Sequence, residues 1–130
     1  MRVLFTCGGT AGHINPAVAL ARMVQERNAG SEILFVGAKG GMEERLIPKE
    51  GFALETVTIS SFWRSVSPAG FRHNIKTLQN LSVSRKEAAE ILDRFQPELV
   101  VGTGGYASYP VVHEAARRGI PTAVHGSNAV

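Results

Sequence analysis

Three glycines, a threonine and a histidine are concentrated in the stretch CGGTAGHINP, Cys7 to Pro16, which directly follows the apolar run RVLF. Glycines between a strand and a helix permit a tight turn and a close approach of the backbone to a ligand. The N–H groups of such a turn and the dipole of the following helix favour a bound phosphate. We therefore predict a phosphate-binding loop at Gly8, Gly9 and Gly12, the alternative being that these glycines only make a tight turn.

A second glycine-rich stretch, GTGGYASYP from Gly102 to Pro110, also lies between an apolar run and a helical pattern. Loops that follow neighbouring strands face each other where the strand order of an open sheet reverses. Two such loops indicate a diphosphate, or two phosphate-bearing substrates. The side chains of Thr103, Tyr106 and Ser108 are candidates to contact phosphate or sugar, with packing on the adjacent loop as the alternative for Tyr106.

His13 follows the last glycine of the first loop and should project into the cleft between the two loops. A neutral imidazole there can take a proton from an attacking sugar hydroxyl, as a general base does. The alternative is a histidine that caps the helix or binds phosphate.

Short β-branched apolar runs alternate with helical patterns along the chain, which is typical of β-α units and a parallel sheet. Strands are predicted near residues 2–6, 32–36, 54–59, 98–102 and 121–125. Helices are predicted near residues 15–28, 40–48, 70–95 and 108–118. Pro16 is expected in the first turn of its helix, where proline is tolerated. The fold class is therefore α/β, a Rossmann-like doubly wound parallel sheet with ligands beyond the carboxyl ends of its strands.

The chain length and the charge exclude several classes of protein. A chain of 130 residues is expected to form a single domain over residues 1–130. The net charge of +3 is too small to predict a nucleic-acid partner. Apolar runs are too short for a membrane span, and the start MRVLFTCGG suits a buried strand better than a signal peptide. A cytoplasmic location is expected.

Metal and nicotinamide sites are also disfavoured. Cys7 is the only cysteine, and no cluster of histidine and carboxylate has the spacing of metal ligands. The dinucleotide fingerprint G-x-G-x-x-G would need a glycine at Cys7 and an acid at the end of the second strand, where the sequence reads FVGAKGG. An oxidoreductase that uses NAD is therefore disfavoured.

Between Glu55 and Glu87 the chain has no acidic residue, and basic and aromatic residues alternate there. An apolar stripe at helical spacing is formed by Phe71, Ile75 and Leu78, is flanked by Arg72 and Lys76, and is preceded by Phe62 and Trp63. Such a surface can enter the headgroup layer and attract anionic lipid. The alternative is that the same stripe packs on the sheet.

The motifs GGTAGHINPAVALA, GTGGYASYP and HGSNAV, taken together, resemble the MurG family of transferases. These enzymes move N-acetylglucosamine from UDP-N-acetylglucosamine onto lipid I in peptidoglycan synthesis. The resemblance extends over essentially the whole chain in the same order. It implies a GT-B glycosyltransferase, with this chain as most of the acceptor-side half, peripheral to the cytoplasmic face of the bacterial cell membrane, and a donor-binding domain to follow.

The resemblance also implies roles for individual residues. His13 would be the base for the acceptor 4-hydroxyl, and the two glycine loops would hold the lipid I diphosphate. The matching loop positions are Gly8, Gly9, Gly12, Thr103, Gly104, Gly105 and Tyr106. The positions that match contacts to UDP-N-acetylglucosamine are Thr10, Ala11, Gly12 and Asn128. Transfer in this family inverts the anomeric configuration and needs no tightly bound metal or cofactor, so protein groups and helix dipoles stabilise the departing UDP.

The chain departs from the family pattern at two positions. Ala11 stands where the family usually has a second glycine, which adds one methyl group near the phosphate. Gly126 stands where the family commonly has a glutamate, so the function of that carboxylate is in doubt for this chain. A different class of function is a noncatalytic, membrane-recruiting acceptor subunit of a split glycosyltransferase. The gene sequence beyond residue 130 distinguishes these hypotheses, since a fused β-α domain supports the enzyme.

Overall fold

The computed structural model of the chain describes residues 1–59, 71–105 and 108–125, and for residues 71–82 the backbone alone. Strands and helices alternate throughout these ranges. In chain order they are β1 (Arg2–Thr6), α1 (Ala11–Arg27), β2 (Glu32–Ala38), α2 (Glu43–Lys49), β3 (Ala53–Val57), α3 (Phe71–Phe95), β4 (Leu99–Gly102), α4 (Ser108–Arg117) and β5 (Thr122–Val124).

The strands form one parallel sheet in the order β3-β2-β1-β4-β5. The order reverses between β1 and β4, where Thr6 is paired with Gly102. Loops that leave these two strands at their carboxyl ends therefore lie side by side. The predicted α/β fold with a doubly wound parallel sheet is confirmed.

Successive residues of β1 lie in two separate hydrophobic cores, one on each face of the sheet, because side chains alternate across a strand. Val3 and Phe5 lie in the core that includes Ile14 of α1 and Ile47 of α2. Leu4 lies in the opposite core, whose other members are Leu34, Val36, Val57, Ala88, Ile91, Leu92, Val100, Val111 and Ala115. The sheet is thus covered on both faces, which explains why its central strands read as continuous apolar runs.

Helix α1 begins at Ala11, so the predicted start near residue 15 is wrong. The residue before it, Thr10, is extended with φ −144°, and its carbonyl accepts hydrogen bonds from the N–H groups of His13 and Ile14. Pro16 consequently lies inside the helix and not in its first turn. A proline is common in the first turn of a helix, which places the predicted start near Pro16. The helix begins earlier because the glycines let the chain turn within a few residues after β1. The amino end of α1 therefore lies directly at the glycine loop.

Helices α3 and α4 are linked by Arg118, which is itself held by a carboxylate of α4 that is 3% exposed, that of Glu114. It accepts hydrogen bonds from Arg117 Nη2 at 2.6 Å and from Arg118 Nε at 3.0 Å. Arg118 Nη1 also donates to Asp93 Oδ1 on α3 at 2.5 Å. The hydrogen bond from Arg117 is the main reason that the pKa of Glu114 is lowered from 4.5 to about 2. Glu114 therefore stays ionised and orients Arg118, which in turn links α4, the helix after the second glycine loop, to α3.

Replacing this carboxylate should change how stability depends on pH. Because the folded-state pKa of Glu114 is below its ordinary value, its contribution is complete above pH 4.5 and is lost as the pH falls toward about 2. We expect Glu114→Gln to lower the free energy of unfolding by about 1–3 kcal/mol at neutral pH, and by less as the pH approaches the folded-state value. Urea denaturation across this pH range measures the difference.

The exposed carboxylate of Glu90 on α3 provides the matched control, and Glu90→Gln should change the free energy of unfolding little at any pH. A Glu114→Gln variant with the same deficit at every pH would contradict the account.

Candidate functional site

The two glycine loops contact each other through their backbones at the carboxyl edge of the sheet. A Cβ atom placed on Gly105 would lie 2.2 Å from the carbonyl oxygen of Gly8, a distance that no side chain can tolerate. The Thr103 N–H also donates to the Thr6 carbonyl at 3.0 Å. The structure thus brings together the loops that the sequence placed at neighbouring strand ends.

Two hydroxyl groups of the second loop hold this arrangement from inside the protein. Thr103, which is 2% exposed, donates its hydroxyl to the carbonyl of His13 at 2.5 Å. The single hydroxyl hydrogen of the buried Ser108 is shared between the carbonyls of Thr6 and Gly104, at 3.0 and 2.7 Å. Because a hydroxyl carries one hydrogen, neither group is free to donate to a phosphate. This differs from the prediction that both side chains contact phosphate or sugar. Both side chains instead position the loops.

The imidazole of His13 is half-buried against the second loop, and its hydrogen bonds define its tautomer. His13 Nδ1 lies 3.0 Å from the carbonyl oxygen of Gly8 and 3.3 Å from Thr10 Oγ1. A carbonyl oxygen only accepts, so in a neutral imidazole Nδ1 carries the hydrogen and Nε2 keeps its lone pair. A Cβ atom on Gly104 would lie 3.0 Å from Nε2, which places this nitrogen at the junction of the two loops.

A buried carboxylate that the sequence analysis missed lies behind the first loop. Glu43, the first residue of α2, is fully buried. Its Oε1 accepts the N–H of Gly9 at 3.0 Å, and its Oε2 accepts the N–H of Ala38 at 2.7 Å. The N–H of Gly9 therefore already has an acceptor inside the protein. It is not free to bind a phosphate, in contrast to the prediction from the sequence.

The glycines of the stretch GAKGG make room for this carboxylate. A Cβ atom on Gly37 or on Gly41 would lie 2.8 or 2.6 Å from Glu43 Oε2. Two glycines that precede an acid, one at the end of the second strand and one just after it, were the available sequence signal. The Cys7 thiol lies near this carboxylate, and burial first and the Glu43 carboxylate second raise the pKa of the thiol to about 12.

Several backbone N–H groups of the two loops have no hydrogen-bond acceptor among the described residues. Within the part of the chain that the structure describes, the backbone N–H groups of Ala11, Gly12, Gly104 and Gly105 have no hydrogen-bond acceptor. The first turn of α1 contains no acidic residue, so the positive end of its dipole is not neutralised there. The site therefore combines amides suited to an anion with the basic nitrogen of His13.

Several predicted site residues lie outside the described residues. Among them are Tyr106, Asn128 and the divergent Gly126, as well as Phe62 and Trp63 of the predicted membrane surface. The backbone of α3 includes Phe71, Arg72, Ile75, Lys76 and Leu78, but their side chains are not described. Across the described ranges, no helix is both long and apolar enough to cross a membrane, and no three metal-ligating side chains are grouped.

Because the two loops touch at Gly105, which has φ +91°, a side chain at this position should destabilise the fold. Gly105→Ala combines a strained backbone with a collision against the Gly8 carbonyl, and should lower the free energy of unfolding by more than about 2 kcal/mol. Gly40 has φ +79° and open space around it, so Gly40→Ala introduces backbone strain without a collision. This substitution should lower the free energy of unfolding by about 1 kcal/mol. Urea denaturation of both variants gives the comparison, and equal losses would contradict a close loop contact.

Comparisons with known proteins agree with this geometry. Residues 3–130 match the model of the glycosyltransferase family 28 N-terminal domain. The chain is 46% identical, over 99% of its length and 34% of the relative's, to a protein of Thermoanaerobacter sp. (strain X514) named UDP-N-acetylglucosamine–N-acetylmuramyl-(pentapeptide) pyrophosphoryl-undecaprenol N-acetylglucosamine transferase. A protein of the same name from Leuconostoc citreum is 42% identical over 100% of the chain and 34% of its own length.

Among solved structures, the MurG of Acinetobacter baumannii is similar with a TM-score of 0.80 and 26% identity, over 99% of this chain and 35% of that one. The chain spans about a third of the length of the curated relatives that it matches. The resemblance to MurG transferases stated from the glycine motifs is confirmed by these relatives. The chain belongs to the glycosyltransferase family 28 N-terminal domain family, and its fold is that of the amino-terminal domain of a GT-B glycosyltransferase.

Proposed function

We propose that this chain is the acceptor-binding domain of an inverting transferase that moves N-acetylglucosamine from UDP-N-acetylglucosamine to lipid I, giving lipid II in peptidoglycan synthesis. The observation that carries the proposal is the junction of the two loops. There the Cβ position of Gly104 lies 3.0 Å from His13 Nε2, and the backbone N–H groups of Gly12, Gly104 and Gly105 have no acceptor among the described residues. The names of the relatives supply the substrate class.

The acceptor diphosphate would bind the free amides of Gly12, Gly104 and Gly105, with Tyr106 beside them. Backbone N–H groups at a helix start bind phosphate through direct hydrogen bonds and through the helix dipole. The donor UDP-N-acetylglucosamine would meet the same helix end at Thr10 and Ala11, and would also contact Asn128. Substrate phosphates are thus expected on the cleft side of the loops, while Gly9 is held on the inner side by Glu43.

The proposed reaction is a direct displacement. The 4-hydroxyl oxygen of the acceptor sugar forms a bond to C1 of N-acetylglucosamine, while the bond between C1 and the UDP oxygen breaks. The hydroxyl proton moves to His13 Nε2, which has the lone pair to accept it. Attack opposite the departing UDP inverts the configuration at C1. The charge that develops on UDP would be stabilised by protein groups and helix dipoles, with no tightly bound cofactor.

The proposal also includes two partners of the domain. A donor-binding domain would close over the carboxyl edge of the sheet, where the free amides lie. The segment with Phe62, Trp63 and the start of α3 would bind an anionic membrane surface at the cytoplasmic face of the cell membrane.

Gly12→Asp tests the anion site without disturbing the fold. A Cβ atom at this position has only Thr10 Oγ1 as a near neighbour, at 3.6 Å, and an acid in the first turn of a helix is favourable for stability. The same carboxylate repels a diphosphate. We expect unchanged or higher stability, with binding of a fluorescent short-chain lipid I analogue weakened by about tenfold or more, as measured by anisotropy.

Gly30→Asp is the matched control, because Gly30 has open space around it and lies at the other end of α1. It should leave binding unchanged. In the wild-type chain, unlabelled analogue should compete and NADH should not. Equal binding by the Gly12→Asp and wild-type chains would contradict the assignment of the site.

The membrane proposal predicts that replacing Phe62 and Trp63 together by serine weakens cosedimentation with vesicles of anionic lipid. Both aromatic rings favour the interface between headgroup and acyl chain. The control replaces Met23 and Met42 by serine, since these are exposed apolar side chains elsewhere on the domain. Sedimentation that is unaffected by the aromatic replacement, or equally affected by the control, would contradict membrane contact through this segment.

A further inference from the structure

One peptide group connects the buried carboxylate to the imidazole. The N–H of Gly9 and the C=O of Gly8 belong to the same peptide, and in a trans peptide they point in opposite directions. The described residues contain no cis peptide. Glu43 Oε1 accepts from the Gly9 N–H at 3.0 Å on the inner side, and the Gly8 oxygen accepts from His13 Nδ1 at 3.0 Å on the cleft side. The three groups form one continuous chain of hydrogen bonds.

We propose that Glu43 is a positioning residue that fixes the tautomer and the orientation of His13 through the peptide group between Gly8 and Gly9. The Glu43 carboxylate holds the plane of this peptide so that the carbonyl faces Nδ1. Nδ1 must then carry the hydrogen, and the lone pair stays on Nε2 at the junction of the loops. The inference rests on the proposed function only in treating His13 as the base of the transfer.

The chemistry of the donor set explains why this position needs a carboxylate. Both partners of Glu43, the amides of Gly9 and Ala38, are donors, and an ionised carboxylate offers an acceptor oxygen to each. A glutamine of the same shape would turn an NH₂ group toward one of them. The negative charge also polarises the peptide, which strengthens the Gly8 carbonyl as an acceptor for Nδ1–H.

The surroundings of Glu43 are arranged for this contact. The carboxylate is fully buried, which is costly unless its oxygens are hydrogen-bonded. Room for it depends on the absence of side chains at Gly37 and Gly41. The adjacent Glu44 differs, because it is exposed and, among the described residues, accepts a hydrogen bond from the N–H of Gly40 alone, at 2.9 Å, in the turn before α2. The chain therefore provides a matched control one residue away.

The test is ¹⁵N NMR of the histidine side chains at a pH where the imidazole is neutral, since ring nitrogen shifts distinguish the two tautomers. In the wild-type chain we expect His13 to be mainly protonated on Nδ1, and the Gly9 amide to exchange slowly with solvent although the residue is exposed. In Glu43→Gln the tautomer ratio should shift toward Nε2–H by about fivefold to tenfold, the equivalent of one hydrogen bond. Glu44→Gln should leave the ratio unchanged.

Wild-type spectra alone can overturn the proposal if His13 is protonated mainly on Nε2 or the Gly9 amide exchanges freely, so the test does not depend on folding of the variant. A folded Glu43→Gln chain with the wild-type ratio would also overturn it. A wild-type chain with the Nδ1–H tautomer that binds no lipid I analogue would contradict the proposed function and leave the role of Glu43 supported.

Discussion

Gly8 and Gly105 pack backbone against backbone where the strand order of the sheet reverses, and this contact determines what the loops can do. A Cβ atom on Gly105 would collide with the Gly8 carbonyl, so the loops approach this closely only with glycine there. The same carbonyl accepts the hydrogen of His13 Nδ1. Loop packing and the protonation pattern of the imidazole therefore depend on one atom. A change that separates the loops is expected to affect both.

The polar groups of the site divide into those that hold the loops and those left for a ligand. The hydroxyls of Thr103 and Ser108 and the carboxylate of Glu43 all make hydrogen bonds to backbone groups inside the protein. Buried polar groups need such partners, so these residues are explained by structure. The cleft retains backbone amides and one imidazole nitrogen. This combination suits a phosphate-bearing substrate and a proton to be removed, which are the requirements of the proposed sugar transfer.

Much of the fold was predictable because a sheet covered on both faces produces apolar runs at the spacing of β-α units. The glycine loops were also predictable, since glycines at two strand ends have few other reasons to occur together. The start of α1 was wrong because Pro16 suggested a first turn, whereas the tight turn lets the helix begin at Ala11. The role of Glu43 was missed because an acid at the start of a helix is ordinarily read as favourable to the helix dipole. Its partners, Gly9 and Ala38, become visible only when α2 is placed beside the first loop.

Amide chemical-shift mapping with a short-chain lipid I analogue determines whether substrate phosphate binds on the cleft side of the two loops. We expect the amide signals of Gly12, Gly104 and Gly105 to shift on binding, while that of Gly9, already held by Glu43, changes little. Shifts confined to another surface, such as the exposed strand β5, would contradict the account.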